Sequence, residues 1–144
     1  MALWVGCSST ETPAGETIYN VDANKLALRG YDAVAYFTDG KPTKGKEEFK
    51  STWSGAVWTF SSAANKESFD KEPSKYAPQY GGFCAWATAQ GTKADADPTQ
   101  WKVVDGKLYV NYDKSIHDKW LKDVPGFIKK GDENWPEVQK KPLQ

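Results

Sequence analysis

The chain is 144 residues long, with 19 basic and 19 acidic side chains, 7 Trp, 7 Tyr and 6 Phe, but only 18 Val, Ile and Leu together. Zero formal net charge and a single arginine, Arg29, exclude a nucleic-acid surface of the usual kind, which needs net positive charge and favours the planar guanidinium fork. No run of 18 apolar residues occurs, so no membrane-spanning helix is expected, and a domain of this size can bury an aromatic-rich core without disulfides or structural metal.

In chain order, Met1 to Gly6 reads MALWVG and precedes Cys7-Ser8-Ser9 and the polar run TETPAGET. This resembles the truncated end of a bacterial lipoprotein signal, in which Cys7 is the acylated residue; an arbitrary disordered head is the alternative. Residues 1–17 are thus read as head and tether, 18–138 as one domain and 139–144 as a tail. Within the domain, Phe49 to Trp53 and Ala56 to Phe60 flank Ser54-Gly55. Trp101 to Val104 and Lys107 to Tyr112 flank Asp105-Gly106, and each dipeptide suits a tight hairpin turn. Leu108, Val110 and Tyr112 share one face of the last strand, while Lys107, Tyr109 and Asn111 share the other.

Helices are expected between and after the hairpins. Ser61 or Ser62 caps one running through Phe69, which Pro73 stops. A short helix holding Cys84, Trp86 and Ala87 follows Gly81-Gly82 and ends at Gly91. Asp113 caps a third with Ile116, Trp120 and Leu121 on one stripe, and Asp123 with Pro125 starts a fourth around Phe127 and Ile128. The expected class is α+β, a small antiparallel sheet built from two hairpins and packed with short helices.

Hydrolase and phosphate-loop signatures are absent, and a single histidine, His117, excludes any site needing two imidazoles from one chain. Cys84, opening a helix after two glycines, is expected to have a lowered pKa that suits a metal ligand or a nucleophile. Its plainer reading is a small buried hydrophobe. His117 borders its helix's apolar stripe and either caps that border or meets Cys84 across the fold. A Cys84–His117 pair would hold a soft or borderline cation such as copper or zinc, or activate the thiol. The aromatic surplus suggests a concave site in which Tyr31, Tyr36, Tyr80 and Trp86, beside Gly81 and Gly82, are walls and hydrogen-bond tips.

Asp32-Ala33-Val34-Ala35-Tyr36-Phe37, Gly55, Trp58-Thr59-Phe60-Ser61-Ser62-Ala63-Ala64-Asn65, Phe69, Pro73, Tyr76 and YAPQYGGFCAW together resemble the YHS domain in its longer, exported bacterial form. The resemblance implies a small α+β module linked to heavy-metal handling. Its metal-associated version carries D-P-V-C-G and F-C-S-x-x-C. Here Ala35, Ser61 and Asn65 stand at the three cysteines, so the thiolate set cannot be inherited.

These residues support a non-enzymatic domain of the periplasm or outer envelope, lipid-anchored if Cys7 is acylated. It would bind a transition-metal ion or small ligand near Cys84, with haem as another occupant. Two alternatives stand beside it: a thiol enzyme using Cys84 with His117 as base, and a protein-interaction module without chemistry.

Overall fold

Two dipeptides with left-handed backbone, Ser54-Gly55 and Asp105-Gly106, close two antiparallel hairpins in the computed structural model, which describes residues 17–144. Cys7 and the lipoprotein-like start lie outside the described residues. Strands β1 (Lys46–Trp53) and β2 (Ala56–Phe60) form the first hairpin, β3 (Asp97–Val104) and β4 (Lys107–Asn111) the second. Each hairpin is its own two-stranded sheet. Both turn residues of each dipeptide have positive φ (52° and 77°, then 51° and 75°), the twist that a two-residue hairpin requires.

Among the described residues, six α-helices surround the hairpins: α1 (Ala35–Thr38), α2 (Ala63–Lys71), α3 (Pro73–Tyr76), α4 (Ala85–Gln90), α5 (Lys114–Leu121) and α6 (Val124–Val138). The caps are local in sequence. The Ser62 hydroxyl accepts from Asn65 N–H at 3.1 Å, and Asp113 accepts from Ile116 N–H at 2.9 Å. Asp123 accepts from Gly126 N–H at 3.2 Å, and Gly91 ends α4 at φ 90°. Pro73 ends α2 as expected and also opens α3, because its fixed φ and missing N–H suit a first helical position.

Two aromatic cores result. One gathers Val34, Tyr36, Trp58, Phe60 and Phe69 with Leu108 and Val110; the other gathers Tyr80, Ala85, Tyr109 and Trp120 with Trp86, Phe127, Ile128 and Trp135 against them. The alternation along β4 divides its side chains between them, Leu108 and Val110 into the first and Tyr109 into the second. All four residues Leu108 to Asn111 are therefore buried. Residues 139–144 return to the body: Gln139 Oε1 accepts from Ile18 N–H at 3.0 Å, and Gln144 N–H donates to the Lys93 carbonyl at 2.7 Å.

Candidate functional site

The turn Gln79–Gly82 carries three successive left-handed residues, Tyr80, Gly81 and Gly82. A side chain at Gly81 would run into the Ile18 carbonyl, so the turn tolerates only glycine there. It delivers Cys84 to the cap position of α4, where Ala87 N–H donates to Sγ at 3.4 Å and the Cys84 amide donates to the Ala94 carbonyl at 2.9 Å. Cys84 is one of the residues lining an open groove of about 270 Å³, with Trp86, Thr92, Ala94, Tyr112 and Ile116. Cys84 itself is 1 % exposed.

The expected lowering of the Cys84 pKa is overturned. Burial pushes the thiol up, and N–H groups of Ala87, Tyr112 and Trp86 only partly offset it. The group sits protonated at neutral pH, the opposite of what an activated nucleophile needs.

Cys84 and His117 do approach one another, but through a third residue. Asn111, fully buried at the end of β4, accepts from Trp86 N–H at 2.9 Å and from the Cys84 thiol at 3.6 Å through Oδ1, while its Nδ2 lies 3.0 Å from His117 Nδ1. The imidazole stacks on Trp120, with centroids 6.1 Å apart and planes 17° apart. Burial holds its pKa below the usual 6.5, Asp118 opposing that shift and Lys102 and Lys114 adding to it. One cation held by both Cys84 and His117 would require Asn111 to leave a position fixed by three contacts.

Of the six residues read as ligand walls, Trp86 alone lines the Cys84 groove. The Tyr36 hydroxyl donates to the Pro98 carbonyl at 2.7 Å, and the Tyr80 hydroxyl lies 2.9 Å from Asp132 Oδ1. Tyr31 packs its ring under Lys44 Nζ, 5.5 Å from the centroid. Gly82 lines a separate cavity of about 50 Å³ with Asn20, Arg29 and Asp95. These groups are dispersed over the fold.

Asp32 opens the stretch that carries the YHS resemblance and sequence reasoning gives it no site role, yet it organises the other end of the first core. Its carboxyl is fully buried and takes five uncharged donors: Val34 N–H and Ala35 N–H on Oδ1, and Ser61 N–H, the Ser61 hydroxyl and Asn65 Nδ2 on Oδ2, at 2.8 to 3.1 Å. Ala35, Ser61 and Asn65 are the three positions at which the metal-associated pattern has cysteine. They converge here, but as donors to a carboxyl group, and a thiolate-bound metal does not fit. Among the described residues, no three His, Cys, Asp or Glu side chains gather as a metal-binding group.

The family model of the YHS domain matches residues 34–80. No curated protein and no solved structure matches the chain. The matched segment contains Ala35, Ser61 and Asn65 and stops before Cys84, Asn111 and His117, so the Cys84 groove lies outside what the family match covers.

Proposed function

We propose that this chain, a YHS domain over residues 34–80, is a non-enzymatic binding domain that takes a small, largely apolar ligand in the Cys84 groove. The observation that carries this reading is the groove itself, lined by Trp86, Tyr112, Ile116 and the nearly buried Cys84. Apolar walls with a few fixed polar groups are what a small-molecule site requires. The polar residues on this lining are Cys84, Thr92 and Gln144, and Asn111 lies buried behind Cys84.

A soft cation such as copper or zinc stands second, because it would have to displace the thiol proton and move Asn111 to recruit His117. An envelope location is part of the proposal and is supported by the lipoprotein-like Met1–Cys7 stretch. A thiol enzyme is disfavoured by the raised Cys84 pKa.

Titration of the protein with a neutral naphthylamine probe, haem, Cu(I) and Zn(II), repeated with Ala94→Phe and Cys84→Ser, tests the proposal. Probe binding that Ala94→Phe reduces at least about tenfold, one order in the equilibrium constant, is expected. Probe binding that is absent or indifferent to Ala94→Phe removes the groove as the site. Metal binding lost in Cys84→Ser without any probe binding would put the cation reading first.

A further inference from the structure

Asn111 has only one arrangement compatible with its neighbours. Trp86 N–H can only donate, so the amide must present Oδ1 to it at 2.9 Å, and this turns Nδ2 toward His117 Nδ1 at 3.0 Å. An amide NH₂ also only donates, so Nδ1 must offer a bare lone pair, and His117 is the neutral Nε2–H tautomer. The same Oδ1 takes the Cys84 thiol at 3.6 Å. Thiol, amide and imidazole therefore form one hydrogen-bond chain of fixed polarity, running from β4 to the start of α4 and to α5.

A proton on Nδ1 breaks that polarity. Donor would face donor across 3.0 Å. Rotating the amide to satisfy the imidazolium would turn Nδ2 onto Trp86 N–H, leaving a buried donor unpaired at the start of α4. The two arrangements cannot be satisfied together. Trp86 and Cys84, whose contacts depend on the outcome, both line the groove.

We propose that Asn111 is a positioning residue that latches the first turn of α4 while His117 is neutral, and that protonation of His117 releases this latch and loosens the Cys84 groove. The charged groups facing the imidazole are Asp118 and Lys114 on its own helix and Lys102 from β3. Helix α4 brings only Cys84 as a titratable group, β4 brings Tyr109 beside Trp120, and from α6 Asp132 acts on Tyr109. None of these supplies His117 Nδ1 with a second acceptor in place of Asn111. The proposal deepens the groove reading, but its test needs no ligand, so either can fail without the other.

His117 is the sole histidine, so its imidazole nitrogens can be followed without ambiguity in the ¹⁵N-labelled full chain as pH is lowered from about 8 to about 4. The expected result is the Nε2–H tautomer at neutral pH and a titration below 6.5, the direction that burial imposes. The Trp86 backbone amide and the Asn111 side-chain amide should shift with the same midpoint. Asn111→Asp supplies an acceptor to Trp86 N–H and His117 together. It should raise the His117 midpoint by about one unit or more, tenfold in proton affinity, and flatten the Trp86 response. His117→Gln should flatten that response while leaving the fold intact. An Nδ1–H tautomer at neutral pH, or Trp86 and Asn111 signals that ignore the His117 midpoint, would overturn the latch.

Discussion

Asp32 collects two backbone donors from its own turn and three donors from the β2–α2 junction, so one carboxyl ties α1 to α2. Asn in its place is nearly isosteric but offers one acceptor oxygen. With the NH₂ on the Oδ1 side, the Val34 and Ala35 N–H groups are orphaned; on the Oδ2 side, the Ser61 hydroxyl and the Asn65 amide can turn to accept but the Ser61 N–H cannot, and each orphaned buried donor costs about 1–3 kcal/mol. Asp32→Asn should therefore destabilise by about 1–3 kcal/mol, seen as a lower urea midpoint with unchanged slope. A loss under about 1 kcal/mol would mean that the knot contributes little. In the sequence Asp32 stands at the Asp of the D-P-V-C-G pattern, but nothing in the pattern gives it a role of its own. Two of its donor residues lie 29 and 33 positions downstream, at Ser61 and Asn65; the three-cysteine pattern implies that these positions meet, but not that they meet on a carboxyl group. Asn111 is hidden because spacing along the chain carries no signal of its contact with Cys84, although a polar residue closing the apolar run Leu108 to Val110 marked a position to question.

Elements were legible where their signals are local. Both hairpins, their turn dipeptides and the caps at Ser62, Asp113 and Asp123 follow from residues within a few positions of one another. What those signals do not contain is how helices seat against turns. Gly131 shows the difference. It lies in the middle of α6, where Ala would ordinarily gain about 1 kcal/mol of helix propensity. Yet a Cβ there would stand 2.6 Å from the Tyr80 hydroxyl and 2.7 Å from its Cζ. That hydroxyl is held by Asp132 Oδ1 and the Ile128 carbonyl, and the Tyr80 backbone already has φ 55°, so the ring cannot step back cheaply. Gly131→Ala should cost about 1–3 kcal/mol, the range for overpacking, with the propensity gain submerged. Thermal unfolding of Gly131→Ala beside the double variant with Tyr80→Phe tests the contact. A stabilised single variant would show that α6 slides freely on the Tyr80 turn.

At the scale of the whole molecule, β4 contributes side chains to both cores, so neither core can open without exposing the other's strand. Each core also holds tyrosines that resist ionisation. Burial raises the pKa of Tyr36 in the first core, and in the second core burial raises Tyr80 and pushes Tyr109 to about 12. All three are at most 5 % exposed. In the unfolded chain they lose their protons near pH 10, while the native state keeps them, so native stability is fully present below pH 10 and falls as pH rises beyond it. Each retained proton contributes a slope of about 1.4 kcal/mol per pH unit, giving roughly 4 kcal/mol per unit for the three once the unfolded groups are fully ionised. The slope eases near pH 12, where native Tyr109 begins to titrate. Cys84, also raised by burial, adds a smaller loss that starts from its ordinary value of 9.0. Because β4 joins the cores, alkaline unfolding should be one transition, with tyrosinate absorbance and tryptophan fluorescence changing together. Stabilities from urea unfolding between about pH 8 and about pH 11 should show a slope that grows from near zero to approach three protons at about pH 11, and Tyr36→Phe should remove one of them without splitting the transition. A slope of one proton or less at about pH 11, or two separated transitions, would show that the cores unfold independently.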